Sequence, residues 1–527
     1  MVKRLSRTEV SAVRPRLGPL QFMVKLIKSI AKSIKHGIKN DPEVTRIKNK
    51  YPKTFGFVKR RFAKEHKYGL YLTIGVLITL FFIYLFFGIV QDYIGHEKLI
   101  QFDLRVINMF SIFRTDSLNQ IMLFVTYLAK AEIITVGTIV ISLILILIKK
   151  WRLLNALLIS VLGGELFVWI IKNIMDRPRP SLTNALVAES SYSFPSGHTF
   201  VAIAFYGLLA YFVIQSERNK FLKVISFLAG IILVVWIGLS RIYLGAHWPS
   251  DVFASLAAGT AWITIIITSL KIKKKFNPKV SISHFKKSTT IISSILLILL
   301  WLVFIISFFF THPLSPQKTI STPKITINQR DISTKLFEKL PKVSESITAI
   351  PSEPINIIIV GNQDIIEKAF TNSGWYLLDK LSFQSAIKLV KSVLKKESYP
   401  QAPGLPVFWD TEPNDFGFGR PSSEHLASRH HIHLWQTPFV TQDNQSIWVG
   451  TAHFDEEIKK KFKIILPIHT TELKVDDERE YIKSELEKNK FVKSFQKIDL
   501  TGLLYGEKKS GNNFLTDGQA YILYLKK

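Results

Sequence analysis

The chain has 527 residues, of which 47% are hydrophobic, and Lys and Arg together outnumber Asp and Glu by 69 to 40. This length predicts two or three structural units. High apolarity combined with positive charge favours a membrane protein with basic flanks over a nucleic-acid-binding protein. The sequence contains no cysteine, which excludes disulfides, thiolate metal sites and a cysteine nucleophile.

Residues 1–67 form a basic segment that precedes the first long apolar run and lacks the pattern of a signal peptide. Residues 21–40 place isoleucines and a leucine near one helical face, with lysines largely opposite. This pattern predicts either a basic amphipathic helix on an anionic inner leaflet or a solvated tail.

Apolar runs of about 18 residues or more predict transmembrane helices. We predict seven spans, at residues 69–93, 131–148, 152–172, 198–214, 221–239, 251–271 and 289–310. The shorter apolar run at 120–129 is bounded by charge, and we interpret it as a half-inserted or interfacial helix.

The short loops predict the direction of these spans. Basic residues are concentrated in 149–152, 217–223 and 271–279, which lie on one side if every assigned run crosses. The positive-inside rule makes this side cytoplasmic, together with the N-terminus. The alternate loops and everything after residue 310 are then expected on the outer side.

Several basic residues nevertheless lie in the loops that are predicted to face outward. Lys172 ends one span, Arg177 and Arg179 follow it, and Arg241 follows the span at 221–239. Each alone is typical of a side chain that snorkels to the interface. Three such clusters on one face of the membrane instead indicate a site for an anion.

The sequence Pro195-Ser196-Gly197-His198 immediately precedes an apolar run, which predicts a helix start. Free backbone amides and the positive end of the helix dipole make such a start a site for an anion. Gly197 allows close approach of the main chain, and Ser196 adds a hydroxyl donor.

His247 and Asp251 are four residues apart, so at a helix start their side chains share one face. A carboxylate bonded to one ring nitrogen fixes the tautomer and leaves the other nitrogen as a nucleophile or base. His198, at a different helix start, is the candidate for the opposing acid.

The order and spacing of these residues resemble the signature of a known family. The motifs are Lys172-x6-Arg179-Pro180, Pro195-Ser196-Gly197-His198 and Ser240-Arg241-x5-His247-x3-Asp251. Together they resemble the three motifs of the type 2 phosphatidic acid phosphatase superfamily, over roughly residues 70–270.

The resemblance implies a role for each matching residue. His247 would attack phosphorus and form a phosphohistidine, Asp251 would orient it, and His198 would protonate the leaving oxygen. The phosphoryl oxygens would be held by Lys172, Arg179, Ser196, the Gly197 amide and Arg241. No metal or other cofactor is expected, and Asp176 and Arg177 occupy variable positions to which we assign no role.

The predicted fold is an all-α polytopic membrane helix bundle followed by a C-terminal soluble α+β domain. The expected segments are a basic cytoplasmic segment at 1–67, a catalytic transmembrane domain at 68–275, a basic loop with a further span at 276–312, a linker at 313–330 and the soluble domain at 331–527.

In the C-terminal part, residues 354–362 predict a buried strand followed by a helix, and 431–439 with 445–455 predict paired strands. Residues 476–489 predict an amphipathic helix. These stretches are similar to the LssY-like C-terminal domain family, a resemblance that supplies no biochemical role.

Five histidines of this region invite a metal-site interpretation: His430, His431, His433, His453 and His469. His431 and His433 share a strand face at period two, a geometry that could ligate zinc. We favour the alternative, in which these are polar positions on sheet surfaces, and predict no metal.

The expected activity is hydrolysis of a lipid phosphate monoester or diphosphate, such as phosphatidic acid, phosphatidylglycerophosphate or a polyprenyl diphosphate, at the outer face of the plasma membrane. The C-terminal domain is expected outside, where it would recognise a headgroup, the envelope or a protein partner. The alternatives are a non-catalytic component of secretion or envelope assembly and, less favoured because those proteins are soluble, a vanadate-dependent haloperoxidase. Nucleic-acid binding is not expected.

Overall fold

The computed structural model describes residues 41–62, 69–95, 97–180, 185–276, 287–313, 324–338, 340–395, 397–404, 406–422, 428–460, 467–471, 475–507 and 513–526. The amphipathic helix predicted over 21–40 lies outside these residues. The chain divides into two compact units, Met1–Leu77 with Lys271–Pro278 and Ile78–Leu270 with Lys279–Lys527.

The first unit contains two short helices, α1 (Pro42–Lys50) and α2 (Pro52–Phe62), and the first turns of α3 (Leu70–Gly95). Both short helices begin with proline, whose fixed φ suits the first helical position. Thr73 Oγ1 donates a hydrogen bond to the Arg61 carbonyl oxygen at 3.0 Å, which ties α3 to α2.

The second unit contains the rest of α3 and the helices of the bundle. These helices are α4 (Glu97–Ile112), α5 (Asp116–Tyr127), α6 (Ala131–Leu147), α7 (Trp151–Met175), α8 (Gly197–Ser216), α9 (Lys220–Tyr243), α10 (Pro249–Phe276, as far as Leu270) and α11 (Lys287–Thr311).

Within the described residues, six helices are long and apolar enough to cross a membrane, namely α3 and α7–α11. Neither α5 nor α6 passes this test alone, but the two pass it together as a pair bent by 46°. The prediction of seven crossings therefore depends on this pair counting as one span. In α3 and α11 only 11% of the most apolar window is buried, as expected for helices that face lipid in an integral membrane protein.

Small residues let α7 and α10 pack closely against α8. A Cβ at Gly164 of α7 would lie 2.8 Å from Phe200 Cε1, and one at Gly259 of α10 would lie 2.8 Å from Ile203 Cδ1. Close helix contacts through glycine are typical of membrane bundles. This packing fixes the start of α8, where the Pro195-Ser196-Gly197-His198 motif lies.

The C-terminal region mixes strands and helices, as predicted. Its helices include α12 (Ile332–Lys335), α13 (Gln363–Asn372), α14 (Phe383–Lys395) and α15 (Val475–Lys488). Its strands are β1 (Ile325–Ile327), β2 (Val343–Glu345), β3 (Pro351–Pro354), β4 (Ile357–Val360), β5 (Tyr376–Leu377), β6 (Phe408–Trp409), β7 (Glu412–Pro413), β8 (Phe416–Pro421), β9 (Arg429–Thr441), β10 (Ser446–Lys460), β11 (Pro467–Thr471), β12 (Val492–Asp499), β13 (Leu504–Glu507), β14 (Asn513–Thr516) and β15 (Gln519–Leu525).

Among the described residues the main sheet has nine strands, in the order β12-β15-β4-β10-β9-β8-β5, with β1 also on β9 and β11 also on β10. The predicted buried strand is β4, whose four residues are all buried. The predicted strand pair is β9 with β10, which run antiparallel. The two predicted helices are α13 and α15.

The interpretation of the histidines as surface positions is wrong for three of them. The exposed fractions of His431, His433 and His453 are 3%, 3% and 6%. The segment around Gly404 covers the rings of His431 and His433, since a Cβ at Gly404 would lie 3.0 Å from His431 Cε1 and 3.2 Å from His433 Cε1. His430 points to the other side of the sheet, and the side chain of His469 lies outside the described structure.

The C-terminal region packs on α4 of the bundle. Arg105 forms an ion pair with Glu345, and Asn108 Nδ2 donates a hydrogen bond to the Thr411 carbonyl oxygen at 3.1 Å. Ile347 packs against an apolar cluster from α4, α9 and α10. The C-terminal region is therefore seated at the end of the bundle where α9 ends and α10 begins.

Candidate active site

Hydrogen bonds to backbone carbonyls join the three motif-bearing segments at one end of the bundle. The Ser193 amide donates to the Arg177 carbonyl at 2.8 Å, and the Ser196 amide donates to the Asp251 carbonyl at 3.3 Å. Trp248 Nε1 donates to the Pro178 carbonyl at 2.9 Å. The loop after α7, the start of α8 and the α9–α10 turn thus form one continuous structure.

The α9–α10 turn delivers His247. Helix α9 ends at Tyr243, and Gly245 has a φ of +68°, the left-handed conformation with which glycine commonly ends a helix. Pro249 then begins α10, so His247 lies between the two helices with an exposed fraction of 1%.

The ring of His247 lies between the Asp251 carboxylate and the Arg179 guanidinium. Its Nδ1 is 3.4 Å from Asp251 Oδ2, and its Nε2 is 3.2 Å from Arg179 Nη1. A proton on Nδ1 directed at the carboxylate leaves the Nε2 lone pair towards Arg179. Burial, reinforced by the positive charges of Arg179 and Arg241, holds the pKa of His247 well below its usual value, so the ring is neutral.

Asp251 is fully buried, and its carboxylate is held from several sides. Oδ1 accepts a hydrogen bond from Arg177 Nη1 at 2.6 Å, and Oδ2 accepts one from the Trp248 amide at 3.0 Å and another from Ser193 Oγ. The other arm of Arg177 donates to Asp103 Oδ2 at 2.7 Å. A buried charge requires such compensation.

Arg177 and Asp103 are therefore functional candidates that the sequence analysis did not assign. Arg177 occupies a position to which we gave no role, yet it contacts the carboxylate beside His247. Its charge in a loop predicted to face outward was the available signal. Asp103 lies on α4, far from the motifs in the sequence, and no local pattern distinguishes it.

Two of the predicted phosphate-binding cations hold backbone oxygens of the loop before α8. Lys172 Nζ donates to the Tyr192 carbonyl, and Arg179 Nε donates to the Ser191 carbonyl at 2.6 Å. Arg179 Nη1 also donates to the Ala246 carbonyl at 2.5 Å. Both cations lie close enough to His247 to influence its charge state.

The third cation, Arg241, is buried and already paired. Its Nη2 donates to Glu189 Oε1 at 2.6 Å and its Nη1 donates to Thr126 Oγ1 at 2.8 Å. Burial alone would raise the pKa of Glu189, but the pairing with Arg241 outweighs it and holds that pKa below its usual value. Glu189 is a further residue that the sequence analysis missed.

The start of α8 supplies the remaining predicted residues. Among the described residues, the buried His198 Nε2 has no hydrogen-bond partner, and His198 lies within electrostatic range of His247, Arg241 and Arg179. Ser196 Oγ is 3.0 Å from Thr199 Oγ1. Gly197 is the first residue of α8, so its amide is among those left free at a helix start.

All eight predicted site residues thus lie at one end of the bundle. The acid–base pair His247–Asp251 is formed, cations surround it, and His198 approaches from another helix. This constellation can direct a neutral imidazole nitrogen at an anionic centre whose charge the basic side chains balance.

Comparison with known proteins gives the family. Residues 150–275 match the family model of the PAP2 superfamily. The chain is 31% identical over 181 residues to phosphatidylglycerophosphatase B of Bacillus subtilis, covering 34% of this chain and 87% of that protein. The chain belongs to the PAP2 superfamily. The matched relatives make it a PAP2-type phosphatase of the membrane.

Other relatives of this phosphatase have related names. The undecaprenyl-diphosphatase of Sulfolobus acidocaldarius is 24% identical over 200 residues, covering 36% of this chain and 89% of that protein. The lipid A 1-phosphatase of Rhizobium etli is 31% identical over 130 residues, covering 21% of this chain and 51% of that protein. A crystal structure of a transmembrane PAP2-type phosphatidylglycerolphosphate phosphatase from Bacillus subtilis matches with 26% identity and a TM-score of 0.35, covering 38% of this chain and 98% of that one.

The C-terminal region matches a second family model, that of the LssY C-terminus, over residues 337–520. The resemblance of this region to the LssY-like family is therefore confirmed.

We predict that Arg177→Met lowers both the stability and the activity of this PAP2 phosphatase. The change leaves Asp103 and Asp251 buried without their shared cation, and breaking a buried pair costs about 3–5 kcal/mol. Thermal unfolding in detergent and phosphate release measure the two effects. Arg218→Met, which removes an exposed charge between α8 and α9, is the control and should leave both unchanged. Equal behaviour of the two variants would contradict the assigned role.

Proposed function

We propose that this protein hydrolyses a lipid phosphate monoester or diphosphate at the outer face of the membrane through a phosphohistidine intermediate. The observation that carries the proposal is the placement of His247, with Nδ1 directed at Asp251 and Nε2 beside Arg179. The names of the relatives, which specify phosphatidylglycerophosphate, undecaprenyl diphosphate and lipid A, support a lipid phosphate as the substrate class.

In the first step, the Nε2 lone pair of His247 attacks phosphorus. The bond between phosphorus and the lipid oxygen breaks, and His198 gives its proton to that oxygen as the lipid alcohol or phosphate leaves. Asp251 stabilises the positive charge that develops on the His247 ring.

In the second step, water attacks the phosphohistidine. His198, now without its proton, accepts a proton from the water, the nitrogen–phosphorus bond breaks, and inorganic phosphate leaves. The same residue serves as acid and then as base, so the cycle ends in its starting protonation state.

The phosphoryl oxygens are bound by Lys172, Arg179 and Arg241, with Ser196 and the Gly197 amide at the start of α8. Phosphoryl transfer depends mainly on positioning and charge neutralisation. In this proposal the required positive charge comes from side chains and the helix start rather than from a metal ion. The backbone and Glu189 oxygens that now pair with these cations are the groups that a phosphate would replace.

The position of the site suits a lipid. His247 lies between the ends of two helices that are apolar enough to cross a membrane, so a lipid bound there would keep its acyl or isoprenoid chain in the bilayer. By the positive-inside rule, the basic loops predict that the opposite end of the bundle lies in the cytoplasm. The site and the C-terminal region then face outward.

We expect His247→Ala to lower phosphate release from lipid phosphates by at least about 10³-fold, because the variant lacks the nucleophile. The purified protein should also incorporate label from ³²P-labelled substrate in an acid-labile, base-stable form, and His247→Ala should not. His312→Ala, which removes an exposed histidine at the end of α11, is the matched control. Near-normal turnover by His247→Ala would overturn the mechanism.

The absence of cysteine allows a direct test of orientation, since an introduced cysteine has no background. Ser494→Cys and Arg218→Cys place single thiols at exposed positions of the C-terminal region and of the α8–α9 loop. A membrane-impermeant maleimide applied to cells stripped of any outer barrier should label Ser494→Cys. Arg218→Cys should react only after the membrane is opened. The reverse pattern would contradict an outward-facing site.

A further inference from the structure

Three histidines of the C-terminal sheet form a buried cluster outside the phosphatase site. His431 and His433 are alternate residues of β9 and share a face, and His453 of β10 pairs directly with His431. The ring centroid of His431 is 4.3 Å from that of His433 and 5.1 Å from that of His453. Two adjacent strands thus direct three imidazoles to one point inside the protein.

Two rings of this cluster each have a buried nitrogen that is available as a ligand. Among the described residues, the buried His431 Nε2 and His433 Nδ1 have no hydrogen-bond partner. One nitrogen from each of the three rings lies within 4.8 Å of the others. In a tetrahedral site with zinc–nitrogen bonds of about 2.1 Å, the ligand nitrogens are about 3.4 Å apart. A rotation of the rings would bring the three histidine nitrogens to this separation. Polar nitrogens are seldom buried without a partner, which itself indicates a ligand.

Asp455 orients two of the rings. Its Oδ2 is 3.4 Å from His431 Nδ1, and its Oδ1 is 3.3 Å from His453 Nε2. A carboxylate bonded to the outer nitrogen of an imidazole is the usual second contact of a metal-binding histidine, since it fixes the tautomer and leaves the other nitrogen for the metal. For His431 this other nitrogen is the unpartnered Nε2.

The charges around the cluster suit a cation. The carboxylates of Glu353 and Asp455 are both buried beside the rings, and Arg429 Nε lies 3.3 Å from Asp455 Oδ2. Two carboxylates and one guanidinium leave one negative charge within this group, which a metal ion or a proton on His453 would balance.

The cluster also has an approach from solvent. His433 and Gly404 line a cavity of about 1140 Å³, whose wall includes the carboxylates of Asp410, Glu412 and Asp415. The same lining also carries the basic side chains of Arg114, Lys324 and Lys380, so the cavity wall is mixed in charge. Of the three rings, that of His433 borders this cavity, so the cavity is the side from which an ion or a further ligand would enter.

We propose that His431, His433 and His453 bind one divalent transition-metal ion, with Asp455 as the carboxylate that orients two of the ligands. Imidazole ligands favour zinc and similar ions over magnesium and calcium, which prefer oxygen. The inference does not depend on the phosphatase mechanism, because none of these residues takes part in it.

A proton is the competing occupant. His453 Nδ1 lies 2.7 Å from Glu353 Oε2. Burial lowers the pKa of His453, but Glu353 and Asp455 outweigh burial and raise it to about 9. A protonated His453 between two carboxylates would account for part of the cluster without any metal, though it leaves the nitrogens of His431 and His433 unexplained.

The test uses the untagged full-length protein in detergent, loaded with zinc chloride and dialysed before its metal content is measured. We expect about one zinc ion per chain, a loss of stoichiometric zinc in His433→Ala and His433→Gln, and an affinity about 10–100-fold weaker in Asp455→Asn. His430→Ala is the matched control, since His430 lies on the same strand but bonds Glu478 on the opposite face. This variant should keep its zinc.

Cobalt provides a readout that needs no variant. Cobalt(II) bound to the wild-type protein should give the intense visible absorption of a four-coordinate site, and zinc should displace it. The proposal is overturned if the loaded wild-type protein retains no stoichiometric zinc, if His433→Gln retains as much as wild type, or if cobalt shows only the weak spectrum of a six-coordinate surface ion.

Discussion

A single buried carboxylate, that of Asp251, determines the geometry of the phosphatase site. Its burial is tolerable because Arg177, Ser193 and the Trp248 amide all donate to it. Arg177 is balanced in turn by Asp103, so one buried cation is shared by two carboxylates. The negative charge of Asp251 therefore lies on the Nδ1 side of the His247 ring, and the positive charge of Arg179 lies on its Nε2 side. This polarity is what the chemistry of an anionic substrate requires.

The same helix, α4, connects the site with the C-terminal region. Asp103 bonds Arg177 in the site, and Arg105, two residues later, forms the ion pair with Glu345. Apolar contacts of Ile347 with the α9 and α10 ends lie beside this pair. The C-terminal region is thus seated on the element that supports Asp251. Its own buried histidine cluster lies beside a cavity that also reaches the end of α4 at Ser111.

The membrane helices and the His247–Asp251 pair could be predicted because the sequence patterns that indicate them are local. Apolar runs gave the membrane helices, and the spacing of His247 and Asp251 gave the orienting pair, since both depend only on neighbours in the sequence. Asp103 could not be found in this way, because its partner Arg177 is distant in the chain and one acidic residue in a helix has no pattern. The burial of His431 and His433 depends on the segment around Gly404, which period-two alternation does not reveal.

The most direct test of the account is a structure of the protein with orthovanadate, which adopts the five-coordinate geometry of phosphorus during transfer. We expect vanadium at bonding distance from His247 Nε2, with vanadate oxygens contacting Arg179 and the Gly197 amide, and with His198 on the side opposite the new bond. Vanadate bound away from His247, or His198 and His247 too far apart to contact one vanadate, would contradict it.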